Sequence, residues 1–153
     1  NNVKLKWTHF GDGAQRNVLE SLLKTLPKSI EVILKGSVSN NEIYSFYNLE
    51  SPNLFINVSS SEGVPVSIME AMSFGIPVIA TAVGGTPEIV NNENGYLLSK
   101  DPSTKEIAEV IQDFLNLSEQ ERLNKQKSAY KTWQEKYNAK TNYTQFVEDI
   151  LSL

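Results

Sequence analysis

Two short apolar runs, LFINV at 54–58 and PVIAT at 77–81, bracket the segment EGVPVSIMEAMSFG at 62–75. The order reads as strand, loop, helix, strand. It places the loop and the helix N-terminus at the carboxyl end of the first strand, where open parallel sheets bind ligands. Two carboxylates, Glu62 and Glu70, stand here with seven residues between them. Glu62 lies in a small polar loop. Glu70 lies among Val66, Ile68, Met69, Ala71, Met72 and Phe74, a setting in which a carboxylate is expensive to bury without a hydrogen-bond partner.

The rest of the chain repeats the alternation. Residues 4–10 read as a strand ending at the turn Gly11-Asp12-Gly13, and 14–26 as a helix with Val18, Leu19, Leu22, Leu23 and Leu26 on one face, stopped by Pro27. A strand at 30–34 closes at Gly36, and a short helix follows at 41–49. The central helix is expected over 65–74, with Gly75 as its stop. Gly84-Gly85 reads as a flexible loop. Thr86 reads as the cap of a short helix with Pro87 at its first position. After a strand at 96–98, Ser103/Glu106 and Ser118/Glu121 have the spacing of capping boxes, starting helices that run to about 117 and 137. A last helix covers about 141–151. Strands alternating with helices imply parallel pairing and right-handed crossovers. The expected fold is α/β, a parallel sheet with helices on both faces and a helical C-terminus. Both LFINV and PVIAT are mostly apolar, as strands covered on both faces are.

The chain has 153 residues, enough for one domain with a real core and too few for two ordinary ones. The absence of cysteine excludes disulfides, thiolate metal sites and thiol nucleophiles, and His9 is the sole histidine, so multi-histidine metal sites are excluded too. No apolar run approaches the ~20 residues of a membrane span, and no signal peptide is visible. The cytoplasm is the expected compartment. Asn57, Asn116 and Asn142 each begin an Asn-x-Ser/Thr triplet, read as chance matches. The net charge is −4, but residues 37–99 contain no Lys or Arg and six Glu. That stretch argues against a nucleic-acid groove, which needs clustered cations. A core that simply lacks lysine explains it equally well.

The unpaired N–H groups and the dipole of a helix N-terminus favour an anion, Gly63 lets a ligand approach the backbone, and Pro65 gives up an N–H that would be orphaned anyway. The loop is thus a phosphate seat without lysine. Glu62 stands ready to accept hydrogen bonds from hydroxyls, and Glu70, in the second helical turn, to take a ribose cis-diol on its two oxygens. Together these parts suggest a nucleoside diphosphate sugar. The plainer alternative has Glu62 capping the helix and Glu70 reaching solvent. Paired carboxylates also suit glycoside hydrolysis, given a defined separation.

The stretch from 55 to 75, followed by PVIATAVGGTPEIV at 77–90, resembles the donor-binding region of the family-four retaining glycosyltransferases, which have the GT-B fold of two Rossmann-like domains. The family's Glu-x7-Glu motif matches Glu62 and Glu70, and the turns at 11–13 and 36–38 fall in the family's order. The resemblance covers about residues 5–115. It implies that Glu70 binds the ribose hydroxyls and that Glu62, the candidate catalytic residue, contacts the transferred sugar. Backbone groups of Gly63, Val64, Pro65 and Val66 would line the diphosphate and sugar, and the turn around Val38 to Asn40 would lie near the base. Where the family often has Gly-Phe-Gly after the first Glu, this chain has Gly63-Val64-Pro65. The family's first strand, Gly-Arg turn, Lys and helix do not precede Asn1, nor does its acceptor-binding domain. The expectation is therefore an N-terminally truncated single donor domain over 1–153, inactive alone.

The resemblance implies further that the intact protein transfers sugar from a nucleotide donor to a glycan or lipid acceptor held by the missing domain. It implies no metal and no cofactor, peripheral placement at the inner membrane face, and work in surface polysaccharide biosynthesis. Exposed sheet edges would open a route to a homodimer. Two other readings stand beside this one: a non-catalytic nucleotide- or sugar-binding module, and a GT-B nucleotide-sugar epimerase. His9 is expected to be structural.

Overall fold

The computed structural model describes residues 4–152. The chain divides into two units, the first running up to Leu49 and the second from Glu50 onward.

The first unit contains β1 (Leu5–Phe10), α1 (Arg16–Leu23), β2 (Ile30–Gly36) and nearly all of α2 (Asn40–Glu50). β1 and β2 pair in parallel from Leu5 opposite Ile30 to His9 opposite Leu34; the register then slips at Lys35, so that Phe10 faces Gly36. The helix expected over 14–26 is shorter. Beyond Leu23 the chain tightens, with Lys24, Thr25 and Leu26 donating to the carbonyls three residues back. This narrowing brings the backbone out of α conformation before Pro27. The apolar stripe on α1 is only partly covered: Leu19 and Leu23 are half-buried, while Val18 and Leu22 are exposed.

The second unit is built on a three-stranded parallel sheet in the order β3 (Phe55–Asn57), β4 (Val78–Thr81), β5 (Gly95–Leu98). Its helices are α3 (Val66–Ser73), α4 (Thr86–Ile89), α5 (Thr104–Asn116), α6 (Glu119–Lys136) and α7 (Ala139–Leu151). Central β4 is buried at every residue, as its apolar run requires. β3 departs from expectation. It is an edge of this sheet, and Ile56 is exposed. The core gathers Ile68 and Met72 of α3, Val78 and Ala80 of β4, Ile89, Val90, and Ala129 of α6. Each fully buried Ile or Met contributes on the order of 1.5–3 kcal/mol of transfer free energy.

The helix signals fare unevenly. Ser118 and Glu121 form the complete reciprocal box that starts α6. Ser103 accepts from the Glu106 N–H, but the Glu106 carboxylate turns to Ser99, accepting from its N–H at 2.6 Å and its hydroxyl at 2.7 Å. That half of the box is diverted to the Ser99 donors. Thr86 is the first residue of α4, not its cap, and Gly85 takes the cap position. α7 starts at Ala139, capped by Asn138.

Candidate functional site

The site forms where β3 and β4 end and α3 begins. α3 keeps Ile68, Ala71 and Met72 inward, while Val66 is 60% exposed. Glu70 follows Val66 by four residues and therefore shares its open face, one turn inside the helix. Glu70 is half-buried and partnered. Pro65 is the N-cap and no side chain caps the helix, so its first N–H groups keep their positive field toward the open side. The alternative in which Glu62 caps α3 does not occur. Gly75 ends the helix region as expected, at φ +69°.

Glu62 is held from behind. The Asn57 side-chain amide donates to Glu62 Oε1 at 3.0 Å. The same amide's Oδ1 accepts from the Ser59 N–H at 2.9 Å. Thr81, buried at the end of β4, donates its hydroxyl to the Ser59 carbonyl at 2.5 Å. The loop between β3 and α3 is thus fastened to both strands. The Ser59 hydroxyl, and after it the Asn57 amide, hold the Glu62 carboxyl below the usual carboxylate range, against a smaller opposing effect of burial. At neutral pH Glu62 is an anion and accepts hydrogen bonds only.

The Gly84-Gly85 turn is a clamp, not the flexible loop expected. Gly85 N–H donates to the Gly63 carbonyl at 2.7 Å. A Cβ at Gly84 would lie 1.8 Å from the Glu62 carbonyl oxygen, and Gly84 has φ +52°. Only glycine fits there. A side chain at Gly63, by contrast, would meet nothing within 4 Å, so that backbone is open on its outer side. Gly63, Val64 and Val66 are exposed. Pro65 differs from expectation. It is buried, and its carbonyl accepts from the N–H groups of Ile68 and Met69, which occupies both lone pairs. It serves the helix.

The structure therefore brings Glu62, Gly63, Val64, Val66 and Glu70 together around one helix start. Val38 and Asn40 belong to the first unit, Val38 in the turn after β2 and Asn40 as the first residue of α2. Their base-binding role rests on the resemblance alone. Their turn is stiffened by Glu42, which accepts from the Ser39 N–H at 2.9 Å and hydroxyl at 2.8 Å. These bonds also keep the Glu42 carboxyl low. Among the described residues no three His, Cys, Asp or Glu side chains converge as a metal site would require.

Asn57, Thr81 and Gly84 were not singled out as site residues by the sequence. The signal available was a polar Asn closing an otherwise apolar strand. A second feature missed is a mostly apolar cavity of about 400 Å³ in the first unit, lined by His9, Asp12, Arg16, Leu19, Leu22 and Leu34 among others. His9 also stacks edge-on against Trp7, 6.0 Å between ring centroids. Among the described residues no helix is long and apolar enough to cross a membrane.

The chain is similar to known proteins. The family model for glycosyl transferases group 1 matches residues 1–149. The O-antigen biosynthesis glycosyltransferase WbnH of Escherichia coli is 33% identical over 114 residues, which is 73% of this chain and 31% of that protein. The GtfA subunit of the UDP-N-acetylglucosamine–peptide N-acetylglucosaminyltransferase of Streptococcus parasanguinis is 31% identical over 113 residues, 72% of this chain and 21% of that protein. The chain thus spans between a fifth and a third of the length of these relatives. In fold it is similar to Anabaena Alr3699/HepE, solved in complex with UDP, with a TM-score of 0.74 at 20% identity over 97% of this chain and 41% of that one. The sequence-derived α/β fold with parallel strands and a helical C-terminus agrees with that architecture. The Glu62–Glu70 segment and the strands around it belong to a group 1 glycosyl transferase domain of GT-B type, the family of this chain.

Proposed function

We propose that this chain binds the donor, a nucleoside diphosphate sugar, for a retaining glycosyltransferase, and that the whole protein passes the sugar to a glycan or lipid acceptor in surface polysaccharide assembly. One observation carries the reading. An ionised, pre-positioned Glu62 stands beside the uncapped start of α3, with Glu70 one turn inside on the same open face. The diphosphate sits on the N–H groups of Gly63, Val64 and Val66 and the positive end of α3. Glu62 accepts from hydroxyls of the sugar and stabilises positive charge that develops at the anomeric carbon. Glu70 takes the ribose diol. Uridine is the first base to test, because a structural neighbour is solved with UDP.

The segment 37–99 brings no Lys or Arg to offset two carboxylates and a diphosphate, so this chain binds nucleotide weakly. Transfer needs cations and an acceptor site from elsewhere in the protein. No metal is required by the groups named.

Ligand-observed NMR with uridine, guanosine and adenosine diphosphates tests the reading. One nucleotide should give saturation transfer that the Glu70→Ala variant abolishes for the ribose protons. Equal signals from both proteins would remove Glu70 from the site.

A further inference from the structure

We infer that Asn57 is the positioning residue for Glu62, fixing the carboxylate toward the sugar before any ligand arrives; the inference rests on the donor site proposed above. The side-chain amide of Asn57 is used at both ends. Its NH₂ donates to Glu62 Oε1 and its carbonyl accepts from the Ser59 N–H. Turning the amide over would set oxygen against carboxylate and NH₂ against N–H, so the orientation is fixed by the bonds themselves. The anchor is firm because Asn57 ends β3 in register with Ala80 of β4, and Ser59 is tied again through Thr81. The main chain is held independently: the Glu62 carbonyl packs against Gly84, and the Gly63 carbonyl next to it accepts from the Gly85 N–H. With backbone and one oxygen both fixed, the remaining acceptor sites of Glu62 point in a defined direction. A site held this way spends no binding energy on ordering its carboxylate.

Two substitutions separate this role from general support of the loop. Asn57→Asp keeps the acceptor for Ser59 but sets a like charge against Glu62. Asn57→Leu removes both bonds at similar volume. The readout is the carbon-13 titration of the Glu62 carboxyl, assigned against Glu62→Gln, in proteins shown to be folded by circular dichroism. Asn57→Asp should raise the Glu62 midpoint by about one unit or more, and Asn57→Leu should raise it by less. UDP, UDP-glucose and UDP-N-acetylglucosamine are then titrated. Whichever sugar nucleotide binds the unsubstituted chain more tightly than UDP should lose that advantage in both variants, while UDP affinity changes by less than about twofold. An unchanged Glu62 midpoint in both folded variants overturns the role of Asn57 and leaves the donor site standing. A shifted midpoint with no nucleotide bound by any of the proteins supports the anchoring of Glu62 and overturns the donor site instead.

Discussion

Gly84→Ala is the substitution that asks most of the site architecture. Gly84 sits at φ +52°, where an L residue costs about 1–2 kcal/mol relative to its preferred conformations. The added Cβ would lie 1.8 Å from the Glu62 carbonyl oxygen, 2.7 Å from its carbon and 3.1 Å from the Gly63 oxygen. All three are backbone atoms, so no side-chain rotation relieves the overlap. The 62–63 segment must retreat by an ångström or more, which breaks the Gly85 N–H to Gly63 carbonyl bond and loses about 1 kcal/mol more. Together these predict a destabilisation of about 2–4 kcal/mol, with part of it taken up by displacing Glu62. Urea denaturation followed by circular dichroism reads the loss, provided the transition is a single one. Gly13→Ala is the control, since a Cβ there meets nothing within 4 Å. A Gly84→Ala protein within about 0.5 kcal/mol of the parent would refute the close packing of the two loops.

Other consequences are smaller. Thr81→Val keeps the buried volume and removes the hydroxyl that reaches the Ser59 carbonyl; urea denaturation should show a loss of about 1 kcal/mol, and nucleotide binding should weaken with it. Ser118→Ala dismantles the reciprocal box of α6 and should also cost about 1 kcal/mol, while Ser103→Ala, which loses a single capping bond, should cost less in the same denaturation series. Glu42, Glu62, Glu106 and Glu121 all have carboxyls held below the ordinary value of 4.5 by hydrogen bonds. Their stabilisation is full above that value and is lost as pH falls through the lowered ones. The denaturation midpoint should therefore drop on acidification below about pH 4.5, and replacing Glu106 and Glu121 with Gln should flatten the drop.

The sequence displayed the second unit more fully than the first. LFINV and PVIAT declared parallel strands because short, mostly apolar runs suit a covered sheet, and PVIAT is buried as such. LFINV is not, because burial depends on the neighbour a strand acquires, and β3 is an edge of its sheet. The stripe on α1 shows the same limit. Periodicity located Val18 and Leu22 on one face, but only packing decides whether that face is covered, and both are exposed. At the site, Glu70 was legible because a carboxylate in apolar surroundings stands out, and Glu62 because it lies in the polar loop just before the same helix. Asn57 was not, because its role depends on a loop that folds Ser59 and Glu62 back over the end of β3. Gly84-Gly85 read as freedom when glycine was there for close approach. Ser39 and Glu42 have the spacing of a capping box and were passed over, although that pair stiffens the turn carrying Val38.

The central claim is that a diphosphate rests on the bare amides at the start of α3 between two glutamates. Amide proton–nitrogen spectra of the full chain, titrated with UDP, GDP and ADP in turn, address it residue by residue. The account predicts that one of them shifts the resonances of Gly63, Val64, Val66 and Ser67 most, with Glu70 following. Shifts centred instead on the cavity around His9, Arg16 and Leu22, or no shift at residues 63–70 with any of the three, would contradict it.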